Sequence, residues 1–434
     1  MNMSTNTNKN ARVTATAMPT TSRKNFLVLL CMSTLTFCTG FTSIPKSAFG
    51  RNVGSLDSAS ASASALSSVA RSVAYQELKV SLPDYGVDVP VAAWFSIDTT
   101  KDNVSASASL SASAPAAVYQ HRISIQKIGS MLANLNFIPS FASRDFKLPP
   151  RLTVGNSGVQ VIDANVNGNN NNNNNNNNKV AIPSDKPVVI LAHGFLGSRF
   201  DLSHLAEELA SQGFVCLSPE YPESLANSYI TNKDKDMQMG MGPLDRSIIN
   251  QQLLKDITDA TKINIHPSSY GIVGHSLGCG TVLNTGDDSW TRVTIAGPMA
   301  RRDGIPVKGS ILGIVSLNDG LITRERLSGM IPPDFTSLDE KELKGIQISG
   351  EKTIKIPSRS VLVFDRPDAP NHISFLSASA NDSMVEFLSP LLPVAQALKI
   401  PVLDFDKYQT SRDSEATAEV VIPLVAQFLK QNMM

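Results

Sequence analysis

"GIVGHSLGCG", residues 271–280, decides the reading of this chain. It follows Tyr270 and opens with the apolar pair Ile272-Val273, as a short buried strand does. It then places one serine, Ser276, between Gly274 and Gly278. The residues beyond the serine favour a helix. A strand that turns sharply into a helix lifts the side chain at the turn clear of the backbone, and G-x-S-x-G is the sequence form of such a turn when it presents a nucleophile. The flanking glycines are expected because backbone crowds that turn, leaving no room for a Cβ. The new helix directs its free N–H groups toward negative charge that develops beside the serine.

The surroundings agree. "KPVVILAHG" (186–194) is a continuous apolar run, the mark of a strand covered on both faces. "FVCLSPEY" (214–221), "YGIV" (270–273), "TRVTIAG" (291–297), "ILGIVSL" (311–317) and "SVLVFD" (360–365) read the same way. Helices alternate with them. "DLSHLAEELASQG" (201–213) has Leu202, Leu205, Ala206 and Leu209 at helical spacing, Asp201 as expected N-cap and Gly213 as stop. Residues 246–262 and 414–431 read as helices too, the latter covering the sheet and carrying Pro423. "AYQELKVSLP" and "VDVPVAAWFSI", around "DYG", read as an antiparallel pair. The expected fold class is α/β, one doubly wound, mostly parallel sheet.

Not all 434 residues belong to that body. Lys9, Arg12, Arg23 and Lys24 precede the apolar run "FLVLLCMSTLTFCTG" (26–40), and no acidic residue occurs before Asp57. Residues 1–40 read as a signal peptide, and the Ser/Ala-rich, acid-poor residues 41–71 as a transit-peptide-like segment. Together, with Phe41 at the junction, they resemble the bipartite presequences of algae with complex plastids. That resemblance implies plastid delivery, with secretion or an endomembrane location as the alternative. The body, 72–434, carries low-complexity insertions at 105–117 ("SASASLSASAPAA") and 165–179, the latter with ten consecutive asparagines.

Charge excludes one class of partner. Lysines and arginines equal aspartates and glutamates at 38 each, with no basic cluster interleaved with aromatics, so no nucleic-acid partner is expected. The four cysteines lack metal spacing, and Cys216 and Cys279 read as small buried hydrophobes.

The motif residues resemble the α/β-hydrolase superfamily, and within it the platelet-activating-factor acetylhydrolase and dienelactone-hydrolase-like branch. The stretches that carry the resemblance are "VPVAAWFSI" (89–97), "VVILAHGFLGSRFDLSHLAEELASQGFVCLSPEY" (188–221), "GIVGHSLGCGTVL" (271–283) and "NHISFL" (371–376). The resemblance implies hydrolysis of carboxylic esters, often of lipids, by a Ser-Asp-His triad through an acyl-enzyme, without metal or organic cofactor. Chlorophyllases form a second resemblance through "HGF" and "GHS", although they usually carry a basic residue where this chain has Leu277. An acyl thioesterase or acyltransferase would use the same triad. A hydrolase-fold binding protein is the non-enzymatic alternative.

The candidate roles follow. Ser276 is the nucleophile. The backbone N–H groups of Phe195, in "LAHGFLG" (191–197), and of Leu277 are the oxyanion donors. His193 reads as a structural bridge between loops. In this fold the chain order is serine, acid, histidine, and of six histidines only His372 follows Ser276. Asp319, directly after the "ILGIVSL" strand, is the expected acid. Asp303, Asp365 and Asp368 are its rivals. The Met-rich 234–245 and the apolar 382–401 are candidate lid or acyl-pocket segments, either of which would suit an apolar ester or peripheral membrane contact; the second also fits a core helix pair.

Overall fold

A computed structural model describes residues 72–97, 118–127, 143–152, 159–161, 182–183, 185–226, 244–261, 270–343, 354–389 and 411–434. The expected signal and transit segments, both low-complexity insertions, residues 227–243 and residues 390–410 lie outside the described residues. All described residues belong to one unit, 67–434.

The strands are β1 (Ser72–Leu82), β2 (Val87–Ile97), β3 (Tyr119–Ser124), β4 (Ser143–Leu148), β5 (Val159–Val161), β6 (Val188–Ala192), β7 (Val215–Pro219), β8 (Tyr270–His275), β9 (Thr291–Ile295), β10 (Ile311–Ser316), β11 (Thr336–Leu338) and β12 (Arg359–Phe364). The helices are α1 (Ser203–Ser211), α2 (Arg246–Thr261), α3 (Leu277–Asn284), α4 (Arg324–Ser328), α5 (Glu340–Leu343), α6 (Ala378–Leu388) and α7 (Ser414–Met433). Ten strands form one sheet in the order β11-β12-β10-β9-β8-β6-β7-β2-β1-β5. β6 to β12 run parallel, and β2 enters antiparallel to both β7 and β1. β1 and β2 pair in full register from Ser72–Ile97 to Leu82–Val87 around a turn closed by Gly86 at φ 62°. β3 and β4 form a separate hairpin.

The apolar runs without alternation have a direct cause. Val189 and Leu191 of β6 face the layer of α1 and α7, where Leu205, Leu209, Val425 and Phe428 are buried. Their neighbours Val188 and Ala192 face α2 with Ile249 and Leu253, and Ile190 faces α3 with Val282. Each such side chain contributes about 1.5–3 kcal/mol when fully buried, so both faces of the sheet must be apolar. The fold is the doubly wound, mostly parallel sheet expected from the pattern.

One local expectation fails. Asp201 does not cap α1; its N-cap is Leu202, with no side-chain cap. The Asp201 carboxylate instead accepts from the Ser198 N–H (3.0 Å) and hydroxyl (3.1 Å), closing the preceding loop. Gly213 does stop α1, at φ 97°. α7 is capped by Asp413, which accepts from the Ala416 N–H (2.8 Å), and keeps Pro423 inside the helix. The described part of the apolar 382–401 stretch lies in α6, whose Met384, Val385 and Phe387 pack on the core. Among the described residues no helix is long and apolar enough to cross a membrane.

Candidate active site

The centre of the sheet builds the site. β8 ends at His275, and Ser276 follows at φ 56° and ψ −116° before α3 begins at Leu277. Positive φ is strained for a residue with a Cβ, by about 1–3 kcal/mol, so the surroundings must hold it. They do so at both ends of the residue. The Ser276 N–H donates to the Ile295 carbonyl of β9 (2.9 Å), and the Ser276 carbonyl accepts from the Cys279 N–H (3.0 Å). A methyl group at Gly274 would run into the Gly278 carbonyl, and one at Gly278 into the Ala192 carbonyl. The two flanking glycines are therefore demanded by backbone crowding, as the sequence implied. Cys279 lies beneath the turn. Its Sγ is 3.2 Å from the carbonyls of Gly274 and Ile295, and burial pushes its thiol up to about 12. It ties the ends of β8 and β9 together as a weak donor.

His372 and Asp319 meet after β12 and β10. The Asp319 carboxylate lies 2.9 and 3.0 Å from His372 Nδ1, and Asp319 is buried. The same carboxylate accepts the N–H groups of Leu321 (3.0 Å) and Ile322 (2.9 Å), and its own carbonyl accepts the His372 N–H (2.9 Å). Asn318 stitches the two loops, its amide donating to the Ala369 carbonyl (3.0 Å) and to the Ser411 hydroxyl (2.8 Å). The rivals lie elsewhere. Asp303 is exposed and bound to half-buried Arg301, Asp368 pairs with Arg412, and Asp365 is exposed. None of the three hydrogen-bonds His372 among the described residues.

His275, the variable residue of the motif, was not singled out from sequence. It is buried beside His372, with ring centroids 4.8 Å apart, and its Nε2 is 2.9 Å from the His372 carbonyl. Burial and the neighbouring His372 lower its pKa to about 3, so it is neutral and donates through Nε2–H. Only its position next to Ser276 could have flagged it.

The second loop of the site is 193–198. Gly194 lies against Ser276, since a Cβ there would be 3.1 Å from Ser276 Cβ and 3.2 Å from His275 Nδ1. His193 is the loop bridge expected of it. Its Nε2 accepts the Tyr221 N–H (2.9 Å), and its Nδ1 faces the Gly194 carbonyl (2.8 Å), which fixes the Nδ1–H tautomer. Burial holds its pKa well below the usual imidazole value, with Arg246 adding to the effect. The N–H groups of Phe195 and Leu277 have no intramolecular acceptor among the described residues. For Leu277 this follows from its place at the first position of α3. Both side chains are exposed, at 41% and 44%. No group of histidines, cysteines and carboxylates able to hold a metal occurs among the described residues.

Strand order, the strained serine after β8 and the Asp319–His372 pair after β10 and β12 place a serine, a histidine and a carboxylate at the ends of three strands of one mostly parallel sheet. Residues 148–256, about a quarter of the chain, match the family model for platelet-activating factor acetylhydrolase, isoform II. That match covers one of the four stretches that carry the resemblance, 188–221, and ends before Ser276, Asp319 and His372. No curated protein sequence matches the chain. Among solved structures, the chain is similar to a ferulic acid esterase from Streptomyces cinnamoneus, with 13% identity, TM-score 0.40, and 85% of this chain and 92% of that one covered. A putative dienelactone hydrolase from Klebsiella pneumoniae subsp. pneumoniae MGH 78578 aligns with 11% identity and TM-score 0.32 over 73% of this chain and 98% of its own. An S-formylglutathione hydrolase from Staphylococcus aureus gives 9% identity and TM-score 0.34 over 75% and 100%.

Proposed function

We propose that the chain is a serine esterase that cleaves a carboxylic ester with an apolar acyl group. The observation that carries this reading is the strained Ser276 at the end of β8, in a fold whose following strands deliver a buried Asp319–His372 pair. Ser276 Oγ attacks the acyl carbonyl while His372 Nε2 takes the hydroxyl proton. The carbonyl oxygen becomes an oxyanion against the N–H groups of Phe195 and Leu277. His372 then gives its proton to the leaving alcohol. Water, deprotonated by His372, hydrolyses the acyl-enzyme and frees Ser276. Asp319 keeps Nδ1 protonated and stabilises the imidazolium. No metal or organic cofactor enters these steps.

The apolar preference is supported by the exposed Phe195 and Leu277, two large side chains flanking the nucleophile. The matched family is named for an acetylhydrolase, which supports hydrolysis of an ester; the preference for a longer acyl group rests on the two exposed side chains. The test is a panel of p-nitrophenyl esters of increasing acyl length, with phospholipids, galactolipids and chlorophyll, given to the recombinant protein. Rising kcat/KM with acyl length supports the reading. Turnover of thioesters alone would replace the ester, release of phytol would make chlorophyll the substrate, and failure of a fluorophosphonate probe to label Ser276 would overturn catalysis altogether.

A further inference from the structure

We infer that Arg246, the first residue of α2, is the positioning residue of the oxyanion loop: with His193 it aims the Phe195 N–H into the site. This rests on the reading of Ser276 as nucleophile and of Phe195 as oxyanion donor.

The geometry begins with a peptide plane. In a trans peptide the C=O and the following N–H point in opposite directions, so whatever grips the Gly194 carbonyl also sets the Phe195 N–H. That carbonyl is gripped from three sides, by His193 Nδ1 (2.8 Å), the Gly197 N–H (3.3 Å) and Arg246 Nη2 (3.4 Å). Arg246 Nη1 also donates to the His193 carbonyl (2.7 Å) and to Thr281 Oγ1 on α3 (3.3 Å). One guanidinium thus spans two consecutive carbonyls of the loop and the helix that follows Ser276. It ties together the two segments that supply the oxyanion donors.

The guanidinium is itself held. It stacks over the Tyr221 ring at 4.4 Å, and its Nε lies 3.3 Å from the Glu223 carboxylate. The backbone of the same turn grips the loop as well, since the Tyr221 N–H donates to His193 Nε2 and the Leu196 N–H to the Glu223 carbonyl (3.2 Å). Arg246 is buried while its carboxylate partner is partly exposed, so the guanidinium faces the loop rather than solvent. A planar fork with fixed donors can hold two carbonyls and a hydroxyl at once. A lysine ammonium, on a flexible stem, cannot reproduce that fork.

The test uses the full chain and a p-nitrophenyl ester, with Arg246→Met, Arg246→Lys and Ser276→Ala. Losing a donor outright costs roughly 100–1,000-fold; a misaimed one in Arg246→Met is expected to lower kcat by roughly 10–100-fold, with KM within about threefold. Arg246→Lys recovers part of the loss, and added methylguanidine restores part of it in Arg246→Met. Affinity for phenylboronic acid, whose tetrahedral adduct uses the same donors, falls in step with kcat/KM. Titration with a fluorophosphonate gives the active fraction, so kcat is read per working site and misfolding does not imitate the effect; if Arg246→Met does not fold, Arg246→Lys carries the comparison. Unchanged kcat per site, or a loss confined to KM, overturns the inference while Ser276 remains required. Turnover that survives Ser276→Ala overturns the reading of the site, and this inference with it.

Discussion

Asp319 holds His372 at two points, by its carboxylate on Nδ1 at 2.9 Å and by its main-chain carbonyl on the His372 N–H at 2.9 Å. The main-chain contact fixes the loop, and the side-chain contact fixes the ring. Asp319→Asn separates them, because the loop contact survives while the amide favours the wrong imidazole tautomer. Turnover is expected to fall roughly 10⁴-fold, by analogy with the serine-protease triad, with little change in fold. Asp303→Asn, Asp365→Asn and Asp368→Asn, compared with it on one soluble ester, should retain most activity. A crippled Asp303→Asn or Asp365→Asn beside a healthy Asp319→Asn would reassign the acid.

Ser276→Ala should abolish ester turnover, by roughly 10⁶-fold, leaving only what the oxyanion donors and binding supply. The backbone contacts that hold the turn come from main-chain atoms of Ile295 and Cys279, so the protein should stay folded. Circular dichroism with a rate measurement decides both points, and near-normal turnover by folded protein would remove the mechanism.

Three glycines of the elbow region should respond differently. Gly274→Ala and Gly278→Ala place a methyl against backbone carbonyls that cannot yield, and both should destabilise the protein severely or prevent folding. Gly280 has open space around its Cβ direction and sits inside α3, so Gly280→Ala should stabilise by about 0.5–1 kcal/mol through helix propensity. Melting temperatures by calorimetry give the order, and a stable Gly278→Ala protein would contradict the crowding argument.

Stability should fall with acid below about pH 6.5. Burial lowers the pKa of His121, His204 and His275 to about 3 and of His193 well below normal. Unfolding lets all four take up protons below their ordinary value of 6.5, so stability present above that pH is lost as pH falls toward 3. Asp201 and Glu207 oppose this. Burial raises both to about 7, so the native state keeps protons that the unfolded chain loses above its usual carboxylate range. Four uptakes against two releases leave a net uptake of about two protons, and stability rises with pH. Urea unfolding between about pH 5 and pH 7 measures that slope, and His204→Gln should reduce it by about one proton. An equal slope in the variant would show that His204 is not one of the four depressed groups.

The strands that position the site were legible because they are buried on both faces. β6, β8, β10 and β12 have no polar alternation to confuse with a helix surface, and glycines or aspartates punctuate their ends. The hairpin β3–β4 was not read. Its sequences, "YQHRIS" and "SRDFKL", alternate weakly and are stabilised partly by the exposed pair Arg122–Asp145 rather than by apolar pattern. Edge strands β5 and β11, three residues each, are too short to carry a period. Asp201 looked like a cap by residue type, but Ser198 offered its carboxylate two donors in the preceding loop. The turn at Ser276 was legible through its motif, and the meeting of Asp319 with His372 through counting and strand order. Arg246 was not, because its partners are main-chain carbonyls, which every sequence has.

The connection from β5 to β6 carries the asparagine tract; its first anchor is far from the chemistry, and its second enters β6 at Val188, the opposite end of that strand from the 193–198 loop. β5 is the outermost strand, five places from β8, or roughly 24 Å at the usual strand spacing. Here each doubling of the linker would add only about 0.6 kcal/mol of closure entropy, borne at an edge strand rather than at the nucleophile. A change in the length of this tract is therefore expected to be close to neutral for catalysis, because it acts through the outermost strand of the sheet.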